Sequence, residues 1–130
     1  MDVYLSEEAR RFLNAQALET SRRRVGGLLL GHRRGPRFFV ESVYPCHFQP
    51  FLSLERYHAL SRIFDQRIIG FYASGRQAGK TGRKIPPFAV NKLFLDIEPH
   101  SGKGSTLRPA VIEYSGKFEF VPVALAPPIK

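Results

Sequence analysis

The sequence predicts a single α/β (α+β) domain built on a mixed central sheet flanked by helices. Amphipathic helical stretches alternate with short apolar segments of strand type, which favours one layered domain over an all-α or all-β one. The 130 residues are enough for one hydrophobic core without disulfides. No internal repeat or linker divides the chain, so residues 1–130 read as one domain, with a flexible basic loop at 75–84 and a short C-terminal tail at 126–130.

Residues 6–20 (SEEARRFLNAQALET) read as the first helix: Ser6 caps it, Glu7 and Glu8 suit its first turn, and Phe12, Leu13 and Leu18 supply an apolar face. VGGLLLG (25–31) and RFFVESVYP (37–45) read as strands around the turn residues Gly35-Pro36. Residues 53–66 (SLERYHALSRIFDQ) form a second helix, with Leu54, Tyr57, Leu60, Ile63 and Phe64 toward the core. RIIGFYAS (67–74) is a buried-type strand, and a Gly- and Lys-rich loop follows to residue 84. After Pro86-Pro87, FAVNKLFLDI (88–97) reads as a third helix. LRPAVIEY (107–114) and KFEFVPVAL (117–125) read as paired strands turning at Ser115-Gly116.

Composition narrows the function classes. A hydrophobic fraction of 43%, with 11 Phe and 5 Tyr, excludes a largely disordered chain. Cys46 is the one cysteine, which excludes an intrachain disulfide and a cysteine zinc cluster. The opening MDVYLSEEARRF lacks the basic-then-apolar order of a signal peptide, and no run of about 18 apolar residues spans a membrane. A soluble, cytoplasmic domain is the expectation.

The net charge of +9 is unevenly placed. Residues 22–37 carry Arg22, Arg23, Arg24, Arg33, Arg34 and Arg37 and no acid; residues 75–84 carry Arg76, Lys80, Arg83 and Lys84 and no acid. Half of all Lys and Arg fall in these two stretches, and the remainder of the chain is close to neutral. Such a focus attracts nucleic-acid phosphate, an acidic protein surface or anionic lipid, or is ordinary solvated surface. Nucleic acid is therefore one candidate partner, held through Arg24, Arg33, Arg34, Arg76, Lys80, Arg83 and Lys84. Phe71, Tyr72 and Phe88 are the nearby aromatic residues, but strand aromatics beside a core are more often packing residues than stacking platforms.

Other motifs carry less. Gly79-Lys80-Thr81 after a strand imitates the end of a phosphate-binding loop, but Ser74 stands where the loop needs its first Gly, and Gly82 and Pro86-Pro87 break the helix that should follow. His32, His47, His58 and His100 contain no pair at metal-ligand spacing, and His47 beside Cys46 is at most a two-ligand seed. Cys46 reads as a small half-buried residue rather than a nucleophile.

In order and spacing, VGGLLLG (25–31), VESVYP (40–45), a helix and IIGFYASG (68–75) resemble the JAB/MPN (Mov34/MPN/PAD-1) domain family across roughly residues 3–125. The best-matched positions are Gly27, Leu28, Leu30, Gly31, Pro45 and Gly70-Phe71-Tyr72. The resemblance implies a mixed sheet flanked by helices, related to the cytidine-deaminase architecture. Active members are zinc-dependent peptidases or isopeptidases using a Glu, a His-x-His pair and an Asp, in which zinc holds a water and the Glu moves its proton. Carried over residue by residue, the Glu falls on Arg24 and His-Ser-His on Ala73, Ser74 and Gly75. The Pro after it falls on Arg76, the Asp near Pro86, and the Ser before it near Arg83. Ala73 and Gly75 lack donor atoms, and a guanidinium cannot serve as a base.

The resemblance thus implies a catalytically inactive JAB/MPN-like domain, a protein-binding or scaffolding module with no zinc or other cofactor, and a protein partner or homodimer. Arg24, Arg76 and Arg83 would converge where the metal once sat. The alternatives are a basic surface for nucleic acid or another anionic partner, and a hydrolase with a relocated site using His32, His47, His58 or His100.

Overall fold

The computed structural model describes residues 1–19, 25–46, 53–74, 85–99 and 105–127. In chain order the elements are β1 (Asp2–Leu5), α1 (Glu7–Glu19), β2 (Gly26–Arg34), β3 (Arg37–Pro45), α2 (Leu54–Ile63) and β4 (Ile68–Ser74). A 3-10 turn at Pro87–Ala89 follows, then β5 (Leu93–Pro99), β6 (Ser105–Tyr114), β7 (Phe118–Pro122) and β8 (Ala124–Leu125). The strands lie side by side in the order β7-β6-β5-β4-β2-β3-β1-β8. β1 pairs in parallel with β3 and β8, and β4 with β5; the other pairs are antiparallel.

β7 and β8, at the two ends of that order, are consecutive in the chain, so the sheet nearly closes into a barrel. The handover occurs at two prolines. Val123 donates to the carbonyl of Pro109 in β6 at 3.1 Å, but Pro109 has no N–H to return. The ladder therefore stops being reciprocal there. The chain moves across to β1, where Ala124 donates to Met1 and Ala126 to Val3. Curvature comes from the strands on either side of β2: β3 carries one extra residue, Glu41, between the partners of Leu30 and Gly31, and β4 one extra residue, Ile69, between the partners of Leu29 and Leu30. Such bulges bend a strand and sharpen its twist.

Alternation along the strands fills two cores. Leu29, Tyr72, Leu93, Leu95, Ile97 and Val111 point inward, onto the Ala9–Leu13–Ala17 stripe of α1. Those three helix residues repeat every fourth position, one face of a 3.6-residue helix. Ser6 caps α1 by accepting from Ala9 N–H at 3.0 Å, and Tyr72 ties the helix to β4 through a 3.1 Å hydrogen bond to Gln16. On the outer face Leu28, Leu30, Ile68, Phe71, Phe94 and Ile112 form the second core, on which α2 rests through Tyr57, Leu60 and Phe64. Ser53 caps α2 by accepting from Arg56 N–H.

The expected α/β architecture, a mixed central sheet flanked by helices on the cytidine-deaminase-like JAB/MPN plan, is corrected by this geometry. The third helix expected at 88–97 does not form: Pro87–Ala89 make a single 3-10 turn, Asn91 adopts φ 68°, and residues from Leu93 are strand β5. LFLDIE is apolar every second residue on the inward face, and Phe94 is apolar on the other, the pattern of a strand covered on both sides. Two α-helices remain among the described residues, one within the curve of the sheet and one outside it. Leu18, Leu54 and Ile63, expected in the core, are exposed, because a helix laid against a curved sheet touches it along a narrow line. No helix among the described residues is long and apolar enough to cross a membrane.

Gly70 reveals how closely β4 and β5 pack. A Cβ there would lie 2.3 Å from the Leu93 carbonyl oxygen, so backbone would have to move. Gly70→Ala is expected to cost about 2–4 kcal/mol, measured as a lower urea midpoint with an unchanged slope. An unaltered midpoint would mean that the two strands are not packed this closely.

Candidate functional site

Of the residues that the resemblance assigns to a degenerate zinc site, Ala73, Ser74 and Pro86 are described; Arg24, Gly75, Arg76 and Arg83 lie outside the described residues, as do Lys80 and Lys84 of the basic loop. Ala73 and Ser74 are buried. The Ser74 hydroxyl accepts from Val25 N–H at 2.9 Å and donates to the Val25 carbonyl at 3.4 Å, stitching the start of β2 to the end of β4. Ala73 sits in register with Asp96, and Asp96 with Arg108, which forms a 2.7 Å ion pair with Glu98. Pro86 is half-buried ahead of the 3-10 turn. Among the described residues no group of three or more His, Cys, Asp or Glu could hold a metal. His58 is exposed on α2, His32 is on β2, and His47 and His100 lie outside the described residues.

Of the first basic stretch, Arg33, Arg34 and Arg37 are described, and Arg22–Arg24 lie outside the described residues. β2 is nine residues long, so Arg34 lies roughly 26 Å from its Gly26 end. Arg33 has a structural role: its guanidinium lies 4.7 Å over the Phe38 ring and donates to the carbonyls of Gly35, at 2.8 Å, and Asn91. Arg34 is exposed and lies directly opposite exposed Arg37 across the β2–β3 hairpin. Neither Arg34 nor Arg37 forms an ion pair among the described residues.

Two residues further along each strand, the register builds an aromatic ladder. Tyr4 pairs with Phe39 across β1–β3, and Phe39 pairs with His32 across β3–β2. The rings stack face to face: Tyr4–Phe39 centroids are 5.0 Å apart at 13°, Phe39–His32 centroids 4.9 Å at 17°. Those spacings match the separation of neighbouring strands, roughly 4.8 Å. A parallel row, Asp2–Arg37–Arg34, runs beside the ladder on the same outward face. Glu41, the residue skipped at the β3 bulge, has one carboxylate oxygen 3.6 Å from His32 Nδ1 and forms an ion pair with Arg67.

The ladder was not singled out from the sequence, whereas Phe71 and Tyr72, weighed there for stacking, are fully buried, and Phe88 stacks on Tyr57. A signal did exist: inward Val3 and Leu5, and inward Phe38 and Val40, leave Tyr4 and Phe39 on the opposite face. What could not be seen was the parallel β1–β3 pairing that aligns them.

Cys46 borders the outer core, and burial pushes its thiol from 9.0 up to about 11, against a smaller opposing effect of Arg56. Folding thus favours the protonated thiol. That contribution to stability is complete below the ordinary value of 9.0 and is lost as pH rises through about 11. Iodoacetamide labelling near pH 8 is expected to be on the order of a hundredfold slower than in the urea-unfolded chain. Equal rates would mean that the thiol is not shielded.

No family model matches the chain, and no curated protein matches it. Its fold is similar to the solution structure of a protein from Desulfitobacterium hafniense, at 19% identity and a TM-score of 0.61, covering 98% of this chain and 95% of that one. It is also similar to the solution structure of a protein from Salinibacter ruber, at 11% identity and a TM-score of 0.54, covering 96% and 92%. At these identities the likeness is one of fold alone. The resemblance to the JAB/MPN (Mov34/MPN/PAD-1) family is therefore corrected, because no family model or curated relative supports it and the near-closed barrel with two helices departs from its architecture.

Proposed function

We propose that the chain is a binding domain for an anionic macromolecule, held on the outward face of β1, β3 and β2. The observation that carries this reading is the placement of Arg34 directly opposite Arg37 on adjacent strands, both exposed. Like charges set opposite each other across a strand pair weaken a sheet, by up to about 1 kcal/mol. An anion lying between the two guanidiniums turns that repulsion into charge-assisted, fork-shaped hydrogen bonding. Asp2 flanks Arg37 alone, so the row stays cationic toward Arg34. The reading assigns no catalytic step.

Inorganic polyphosphate is a suitable probe, because it offers charge and nothing else. Replacing both arginines (Arg34→Glu with Arg37→Glu) is expected to lower its affinity roughly tenfold or more and to flatten the salt dependence. The thermal midpoint should hold. Unchanged affinity in the double variant would reject this face.

A second reading, self-association, is supported by α2. None of its residues is buried, and Leu54 and Ile63 are 55% and 71% exposed. A second copy of the chain covering this helix should appear in sedimentation as a dimer that Ile63→Glu dissociates. A monomer at the highest attainable concentration would overturn this reading.

A further inference from the structure

We infer that the anionic macromolecule is a single-stranded nucleic acid, one of whose bases stacks on His32 and extends the Tyr4–Phe39–His32 ladder while Arg34 and Arg37 hold its phosphates. The inference rests on the anionic-partner reading and adds the chemistry of the ligand. A polyanion without rings would need only the arginine row. Here the cationic row runs beside a row of stacked rings, two residues and so roughly 6.6 Å away along each strand. A nucleotide carries its phosphate and its ring on opposite sides of one ribose, which suits two such rows.

The ladder has an open end at His32. The paired register with β4 ends at Leu30–Ile68, and beyond it the Arg67 carbonyl accepts from Gly31 N–H at 2.9 Å, so no β4 residue pairs with His32. Its side chain is 45% exposed. The ring is held for stacking by Phe39 on its other face. Glu41 lies beside this end, and its ion pair with Arg67 offsets the repulsion it would exert on a phosphate. At the opposite end Tyr4 is half-buried beside the parallel β1–β8 pair. A base placed on His32 needs an accessible π-face, which a duplex keeps inside its own stack. Single strands therefore gain from the ladder and duplexes do not. Since every base has such a face, sequence preference should be weak.

Fluorescence anisotropy with a short labelled oligonucleotide of mixed sequence, its duplex and inorganic polyphosphate tests the inference on the intact chain. The single strand is expected to bind more tightly than the duplex. His32→Ala should weaken single-strand binding about tenfold or more, and His32→Phe, which keeps a ring and loses the imidazole, should restore it. Equal affinity for single strand and duplex, or single-strand binding indifferent to His32→Ala, overturns the inference. If the unmodified chain still binds polyphosphate, the anionic-partner reading survives that failure, and an acidic protein becomes the ligand to pursue. If it binds neither oligonucleotide nor polyphosphate, both fall together.

Discussion

The passage of one segment, Phe118 to Leu125, from β6 to β1 governs the geometry of the whole molecule. An open eight-stranded sheet would leave β1 at an edge and its inner face to be covered by several helices. Closing the sheet lets one helix fill the interior, which is why a stripe as slight as Ala9, Leu13 and Ala17 suffices. Small residues at two of the three positions let α1 sit close to strands that curve around it. Pro109 and Pro122 limit the β6 ladder and so mark where the chain must find a second partner. The bulges at Glu41 in β3 and Ile69 in β4 supply bending on the opposite side of the ring, on either side of β2.

Much of the secondary structure was legible, because the signals were local. Ser6 and Ser53 cap the helices that follow them, and Gly35-Pro36 and Ser115-Gly116 turn hairpins. Residues 88–97 were misread for a physical reason. A strand covered on both faces has apolar residues on both sides, and over so few residues FAVNKLFLDI offers a helical face as readily as a strand. Once that segment is a strand, the count of strands and the closure both change. The misassigned family followed from glycines and apolar runs that many tightly curved sheets require. Gly31 and Gly70 are there because a neighbouring carbonyl occupies the place of a Cβ.

Site legibility followed the same division. Clustering of arginine in residues 22–37 was plain, yet its described members do not share one role. Arg33 and Arg34 are adjacent in sequence and opposite in role. Strand alternation sends the first over Phe38 and the second outward beside His32. The aromatic ladder joins a hairpin pair seven positions apart, His32 with Phe39, to a pair thirty-five positions apart, Tyr4 with Phe39. No local pattern reports such a pairing.

The parallel strand β1 lies between β3 and β8, so it is held by an early part of the chain on one side and by residues Ala124 and Leu125 on the other. Its contacts thus span nearly the whole sequence, and loops of that length form slowly because chain entropy must be overcome before any pairing repays it. On a ribosome, β1 would emerge well before β8 and would be fully secured only once β8 had followed it. Tyr4 belongs to β1. Its ring meets Phe39 through β3, so the ladder can assemble before β8 arrives, and it is the β1–β8 pairing that reports closure of the barrel.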